Sequence, residues 1–147
     1  MKIIITGGLG GFGLELALWL SKLGAEQIIL TSRSGIKTGW QTKRIDHINN
    51  FLPSKVVIST LDVVKANECD QLIEQYKNIK GIWHSAMVLN DIMYENMTEQ
   101  KWNETINIKV LGLENLDKAS QKFKLELDTF MAFSSVSSLH GNAGQTN

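Results

Sequence analysis

The sequence predicts an α/β domain built on a doubly wound parallel sheet of about five strands with helices on both faces. Short apolar, β-branched runs alternate with amphipathic stretches of ten residues or more, the order that joins parallel strands by right-handed crossover helices. Five glycines fall between Gly7 and Gly13, where the first such run gives way to the first amphipathic stretch. A chain of 147 residues with 43% apolar and 20% charged residues is the right size for one domain with a real core. Together these features describe a Rossmann-like fold.

Lys2–Thr6 reads as a strand buried on both faces, because Ile3, Ile4 and Ile5 leave no polar alternation. From Gly11 to Leu23, Phe12, Leu16, Leu20 and Leu23 recur at helical spacing, and Gly24 supplies the stop. Gln27–Thr31 is a second buried strand. A helix over Thr38–Asn50 turns Trp40, Ile45 and Ile48 inward, with Pro53 beyond its end. Lys55–Thr60 is the third strand, Ala66–Tyr76 a helix, and Gly81–Ala86 the fourth strand. One long helical stretch is expected over Thr98–Phe123 with Thr98 as N-cap, and Asp128–Ser134 is the fifth strand. No repeat, low-complexity tract or linker divides residues 1–147. Sheets of this kind have six or seven strands, so the remaining strands are expected beyond Asn147, with one sheet edge left open.

Composition excludes several classes. Fifteen basic and fifteen acidic residues cancel, which leaves no electrostatic footprint for nucleic acid or anionic membrane. Lys43-Arg44 is the one adjacent basic pair and reads as a solvated helix face. The single Cys69 forms no internal disulfide and fits a reducing compartment, the cytoplasm. The apolar N-terminus is broken by glycines and Glu15, unlike a secretory leader, and no apolar run reaches the ~18 residues of a membrane span. Asn96-Met97-Thr98 and Asn103-Glu104-Thr105 are chance glycosylation matches in a chain that is not secreted. His47 and His140 have no metal-ligand spacing with Cys69 or with each other, so no metal is expected.

The glycine cluster carries the first chemical reading. At a strand-to-helix bend, glycine lets the backbone approach a pyrophosphate, and the helix start offers unpaired amides and about half a positive charge. Thr6, Gly7, Gly8, Leu9, Gly10, Gly11, Phe12 and Gly13 are therefore assigned to a dinucleotide, against the plainer reading of a tight structural turn. The second strand ends in Thr31-Ser32-Arg33-Ser34, with no acid to hold free ribose hydroxyls. Arg33, helped by Ser32 and Ser34, suits a 2′-phosphate, which favours NADPH over NADH; a plain surface arginine is the alternative.

With these residues in view, the chain resembles the ketoreductase domain of animal fatty acid synthase and of modular polyketide synthases, of the short-chain dehydrogenase/reductase type. The likeness leans toward the fatty acid synthase branch. It is carried by Ile4-Ile5-Thr6-Gly7-Gly8-Leu9-Gly10-Gly11-Phe12-Gly13, Leu30-Thr31-Ser32-Arg33-Ser34-Gly35 and Ala86-Met87-Val88-Leu89. The most specific part is Phe133-Ser134-Ser135-Val136-Ser137-Ser138 with Gly141-Asn142-Ala143-Gly144-Gln145-Thr146-Asn147. The resemblance implies that Ser135 donates a hydrogen bond to the substrate carbonyl and that Lys109 lowers the pKa of a catalytic tyrosine. That tyrosine is expected thirteen positions after Ser135, just past Asn147, so the 147 residues alone are expected to be inactive. Asp62 and Val63 match the pair at the adenine, and Ser85 and Ala86 the backbone lining the nicotinamide ribose. Asn90 stands where a polyketide stereochemical motif has aspartate, so no product configuration is assigned.

The implied function is NADPH-dependent reduction of a β-ketoacyl thioester to β-hydroxyacyl, with an acyl carrier protein delivering the substrate and other domains of a larger synthase as partners. A non-catalytic nucleotide-binding module and a stand-alone carbonyl reductase are the alternatives. Each site residue has a plainer role beside it. Ser135 could belong to a polar serine cluster, Lys109 could be a snorkelling surface lysine, and Asp62 could cap the helix that follows. His84 is read as a hydrogen-bonded strand-end residue, not a catalyst. Met87, Met93 and Met97 could line a substrate mouth or pack in the core.

Overall fold

A computed structural model of the chain describes residues 1–146. Strands β1 (Lys2–Thr6), β2 (Gln27–Thr31), β3 (Lys55–Ser59), β4 (Ile79–His84) and β5 (Thr129–Ala132) form one parallel sheet in the order β3-β2-β1-β4-β5. Helices α1 (Gly11–Lys22) and α2 (Gly39–Phe51) cover one face, over Ile3, Ile5, Ile28, Leu30 and Val56. Helix α3 (Ala66–Gln75) and the helical segment before β5 cover the other, where Ile4, Ile29 and Ile82 meet Cys69, Leu72, Leu116 and Ala119. Because both faces are covered, the central strands are apolar at successive positions. Each fully buried isoleucine is worth roughly 1.5–3 kcal/mol relative to exposure.

Between β4 and β5 the expected single helix is divided. After a short 3-10 turn (Tyr94–Asn96), α4 (Glu99–Ile106) passes into a π-helical turn (Asn107–Leu111) and then α5 (Gly112–Lys122). A final short helix, α6, is Ser137–His140. Thr98 caps α4 by accepting from the Lys101 amide at 3.3 Å. Thr38 caps α2 in a reciprocal box with Gln41, whose side chain accepts from the Thr38 amide at 3.0 Å. Each threonine thus satisfies one of the opening amides that have no partner inside its helix.

The inward assignment of Trp40 is corrected, and two residues of the helical pattern on α1, Phe12 and Leu23, also lie outside the core. Trp40 is 49% exposed, Phe12 60% and Leu23 61%. Trp40 lies in the first turn of α2, ahead of the two residues that reach the sheet, Ile45 and Ile48. On α1 the buried stripe runs through Leu14, Leu16, Ala17 and Leu20, while Phe12 at the helix start packs edge-on against Phe133, ring centres 4.8 Å apart. Strand boundaries also move. β4 starts two residues early, its register against β1 shifting between Lys2 and Ile3, and Ser85 and Ala86 lie past its end. β5 is a four-residue edge strand, paired only with β4. Among the described residues no helix is long and apolar enough to cross a membrane.

Candidate functional site

Parallel pairing lines up the carboxyl ends of the strands: Ser59 with Thr31, Thr31 with Thr6, Thr6 with His84, and His84 with Ala132. The chain leaves β1 toward β2 but reaches β4 from β3, so strand order reverses between β1 and β4 and the loops there diverge into a crevice. The glycine bend forms one wall. Gly7 has φ +64°, and a Cβ on it would stand 2.8 Å from the Ala86 Cα. A Cβ on Gly8 would meet Leu30 Cβ at 2.7 Å, and one on Gly13 the Gly8 Cα at 2.6 Å. These three glycines are demanded by the protein's own packing. Gly11 differs: a Cβ there would have no atom within 4 Å, so its bareness faces open space at the helix start. The first amides of α1, from Gly11 to Gly13, have no partner inside the helix and sit at its positive end.

The neighbouring residues of the bend take different roles. Leu9 is buried, and its carbonyl accepts from Gln41 Nε2 at 2.9 Å. Gly10 N–H donates to the Gly7 carbonyl at 3.0 Å, tightening the turn. Thr6 is fully buried; its hydroxyl accepts from the Ala86 amide at 3.2 Å, and its carbonyl accepts from Ser85 Oγ at 2.6 Å. Thr6 thus ties the bend to the end of β4 from beneath.

An open cleft of about 500 Å³ continues from Gly7 across the ends of β2 and β3, walled by Ser32, Arg33, Ser34, Asp62, Val63 and Ala86. Lys37, Leu61, Met87 and Ile108 also line it; of these the sequence had offered only Met87, as a residue that could line a substrate mouth. Lys37 was findable, since it is a second cation four residues after Arg33 in the same loop. Arg33 Nη1 lies 3.9 Å from Asp62 Oδ2, a loose pair on an exposed guanidinium. Asp62 does not cap α3. Its Oδ1 accepts from the Val64 amide at 3.1 Å, while Glu68 Oε2 accepts from the Asp62 amide at 2.6 Å. Hydrogen bonding from Lys65 holds the Glu68 carboxyl below its usual pKa, with the Asp62 amide adding to it. Val63 is buried, and its carbonyl accepts from Asn115 Nδ2 at 3.0 Å, fastening this loop to α5.

Near the carboxyl ends of β4 and β5 stand His84, Lys109 and Ser135. Lys109, in the π turn, directs Nζ to the Phe133 carbonyl at 3.4 Å, and burial pulls its pKa below the ordinary lysine value. The ammonium thus turns toward the end of β5. Ser135 is exposed two residues past Phe133; its Oγ accepts from the Ser137 amide at 3.1 Å, which leaves the hydroxyl proton free to donate. His84 is 2% exposed and hydrogen-bonded through both ring nitrogens, as a strand-end residue. Met87 and Met93 are exposed, so they do not pack in the core. The stretch ending the described chain docks nearby, Ile92 N–H donating to the Gly144 carbonyl at 2.8 Å and Gln145 Nε2 to Asp91 Oδ2 at 2.9 Å. Among the described residues no three His, Cys, Asp or Glu side chains gather as metal ligands. The cradle fits a pyridine dinucleotide: bare amides at one bend, a guanidinium at the next, and a serine and lysine beyond.

The KR domain family matches residues 2–147. A highly reducing polyketide synthase, easB, of Emericella nidulans is 37% identical over 149 residues, covering 98% of this chain and 6% of that protein. Highly-reducing polyketide synthase 1 of Aureobasidium melanogenum is 37% identical over 145 residues, with 97% and 6% covered. The chain thus spans about 6% of the length of these relatives. Among solved structures, an N-terminal ketoreductase from the macrolactin assembly line superposes with a TM-score of 0.88 at 35% identity, covering 98% of this chain and 30% of that one. A ketoreductase domain from the bacillaene assembly line gives 0.89 at 31%, covering 98% and 35%. These relatives belong to polyketide assembly, so they lend nothing to the leaning toward fatty acid synthase. Domains of this kind bind a nicotinamide cofactor.

Proposed function

The chain belongs to the KR domain family, and we propose that it forms the NADPH-binding part of a ketoreductase that reduces a carrier-bound β-ketoacyl thioester to the β-hydroxyacyl thioester. The observation that carries this reading is one continuous cleft with Gly7 of the glycine bend, Arg33 and Ile108 on its walls; Lys109 follows Ile108 in the chain and turns its ammonium toward the Phe133 carbonyl. NADPH, when bound, supplies the hydride. The opening amides of α1 hold the pyrophosphate, Arg33 takes the 2′-phosphate with Ser32 and Ser34, and Asp62 and Val63 border the adenine. The loop at Ser85 and Ala86 lines the nicotinamide ribose.

At the reacting carbonyl, charge develops on oxygen, and Ser135 Oγ–H donates to it. Lys109 keeps its ammonium in a half-buried setting, where its field acts more strongly than in water. That field would lower the pKa of the catalytic tyrosine that the resemblance implies thirteen positions after Ser135. The names of the relatives and their length support other synthase domains as partners, and the proposed carrier-bound substrate adds an acyl carrier protein as an expected one. One buried cysteine suits the cytoplasm.

The test uses the natural polypeptide that contains this chain. Calorimetric titration should show NADPH binding at least about tenfold tighter than NADH, the effect of one modest charge-assisted contact. Consumption of NADPH with an acetoacetyl thioester should fall sharply in Lys109→Met. Equal affinity for the two nucleotides, or an unaffected rate, would refute the corresponding part of the proposal.

A further inference from the structure

We propose that His84 is a positioning residue that clamps the π turn and so aims Lys109 at the end of β5. The proposal rests on the reading of Lys109 as the reaction-site lysine. His84 Nε2 lies 3.0 Å from the Ile108 carbonyl, and Nδ1 lies 2.8 Å from Thr6 Oγ1. A carbonyl only accepts, so Nε2 carries the proton and Nδ1 is bare. Thr6 Oγ1 already accepts from the Ala86 amide, so its one proton goes to Nδ1. Every proton in the chain is thereby assigned, and burial, which lowers the His84 pKa, keeps the ring neutral.

The ring also fits sterically. Gly112 follows the π turn directly, and a Cβ there would stand 3.2 Å from His84 Cε1 and 3.1 Å from Val63 Cγ2. The imidazole therefore fits closely against Gly112, where a side chain would press on it and on Val63. From this position His84 holds Lys109 on two sides. Its side chain donates to the carbonyl of the preceding residue, Ile108; its own carbonyl accepts from the Phe133 amide at 3.1 Å. The Phe133 carbonyl in turn accepts from Lys109 Nζ at 3.4 Å. The three contacts close a ring running His84, Ile108, Lys109, Phe133 and back to His84. A π turn inserts one residue relative to α-helical pairing and rotates the following side chains, so the clamp decides where Lys109 points.

Two variants separate positioning from simple packing. Gln places an amide donor where Nε2 stands and still reaches Ile108; Asn keeps polarity near Thr6 but falls short of Ile108. In the natural polypeptide containing this chain, His84→Asn should lower kcat with an acetoacetyl thioester about tenfold, equivalent to about 1.4 kcal/mol, with KM and NADPH affinity unchanged. His84→Gln should stay near wild type. Acylation of Lys109 by an amine-reactive ester, followed by mass spectrometry, should quicken in His84→Asn and not in His84→Gln. Added to Lys109→Met, His84→Asn should cost nothing further in kcat. Equal behaviour of the Asn and Gln variants in both rate and labelling would overturn the proposal, as would a full further loss in the Lys109→Met background. If Lys109→Met keeps full activity while His84→Asn still exposes Lys109 to labelling, the clamp stands and the catalytic reading of Lys109 falls.

Discussion

Replacing Gly7 by alanine should separate what the cleft demands from what a turn demands. Gly7 has φ +64°, where an L-residue costs about 1–2 kcal/mol. The new Cβ would also stand 2.8 Å from the Ala86 Cα and 3.0 Å from the Ala86 nitrogen, against 3.4 Å for ordinary contact. Both obstacles are backbone, and Ala86 is held by its amide to Thr6 Oγ1. Relief therefore means parting the bend from the β4 loop by about half an ångström, an overpacking cost of about 1–3 kcal/mol. The total, about 2–5 kcal/mol, predicts a melting temperature roughly 5–20 °C lower for a domain of ordinary ketoreductase size. Gly24→Ala is the matched control. It has φ +92° but a Cβ there meets nothing within 4 Å, so it bears conformational strain without collision and lies at the far end of α1. Differential scanning calorimetry with an NADPH titration of both variants reads the difference. Gly7→Ala should melt well below Gly24→Ala and lose most nucleotide affinity, while Gly24→Ala binds normally. Equal melting points and equal affinities would refute the argument that the two loops close on a bare backbone.

Three further outcomes follow from individual groups. Arg33→Ala should shrink the NADPH-over-NADH preference by about tenfold in calorimetric titration, the low end for a charge-assisted contact because the guanidinium is exposed; an unchanged ratio would remove it from the 2′-phosphate. Cys69, whose thiol burial pushes up to about 12, should resist iodoacetamide at pH 8 in the folded chain and react only as denaturant opens α3. His84 titrates lower in the folded state than its ordinary value of 6.5, because burial disfavours the charged ring. The unfolded chain then binds the extra proton first, so this residue's stability contribution is whole above about pH 6.5 and is lost on acidification below it. Urea melts of wild type and His84→Gln over that range should diverge as pH falls, and parallel curves would contradict the assignment.

The sheet was readable because its chemistry is local. Ile3-Ile4-Ile5 and Ile28-Ile29-Leu30 are apolar at every position, which only a strand covered on both faces requires. The glycine bend was readable from its place between an apolar strand and an amphipathic helix, although the atoms that require Gly7 and Gly8 to be bare, on Ala86 and Leu30, lie far along the chain. What escaped depends on distant partners. Nothing in Asn107–Leu111 announces a π turn, because the side chain that bonds it, His84, reaches the Ile108 carbonyl from the end of β4, 24 residues earlier. Phe12, Leu23 and Trp40 satisfied helical spacing yet face outward, because a periodic pattern fixes a stripe only to within a residue or so of its edge. Thr6 was assigned to the ligand on motif position alone; its side chain is turned down into the protein, and that orientation comes from β4.

This orientation of Thr6 joins the two ends of the cleft. Its carbonyl receives Ser85 Oγ, its hydroxyl receives the Ala86 amide and reaches His84, and His84 reaches Ile108 beside Lys109. The bend that would hold pyrophosphate and the lysine that would polarise the reaction are therefore fixed by one buried network. Such a network is completed when the strands pair, since Thr6 and His84 are register partners in β1 and β4. Folding, not ligand arrival, sets the distance between the two sites, and a buried network of satisfied groups resists partial rearrangement. Preorganised charge is what the proposed β-keto reduction needs, because the developing oxyanion is stabilised without moving dipoles at the moment of reaction. The strand-order reversal thus does more than open a crevice: it puts a hydroxyl and an imidazole side by side where the cofactor bend and the reacting groups must keep a fixed span.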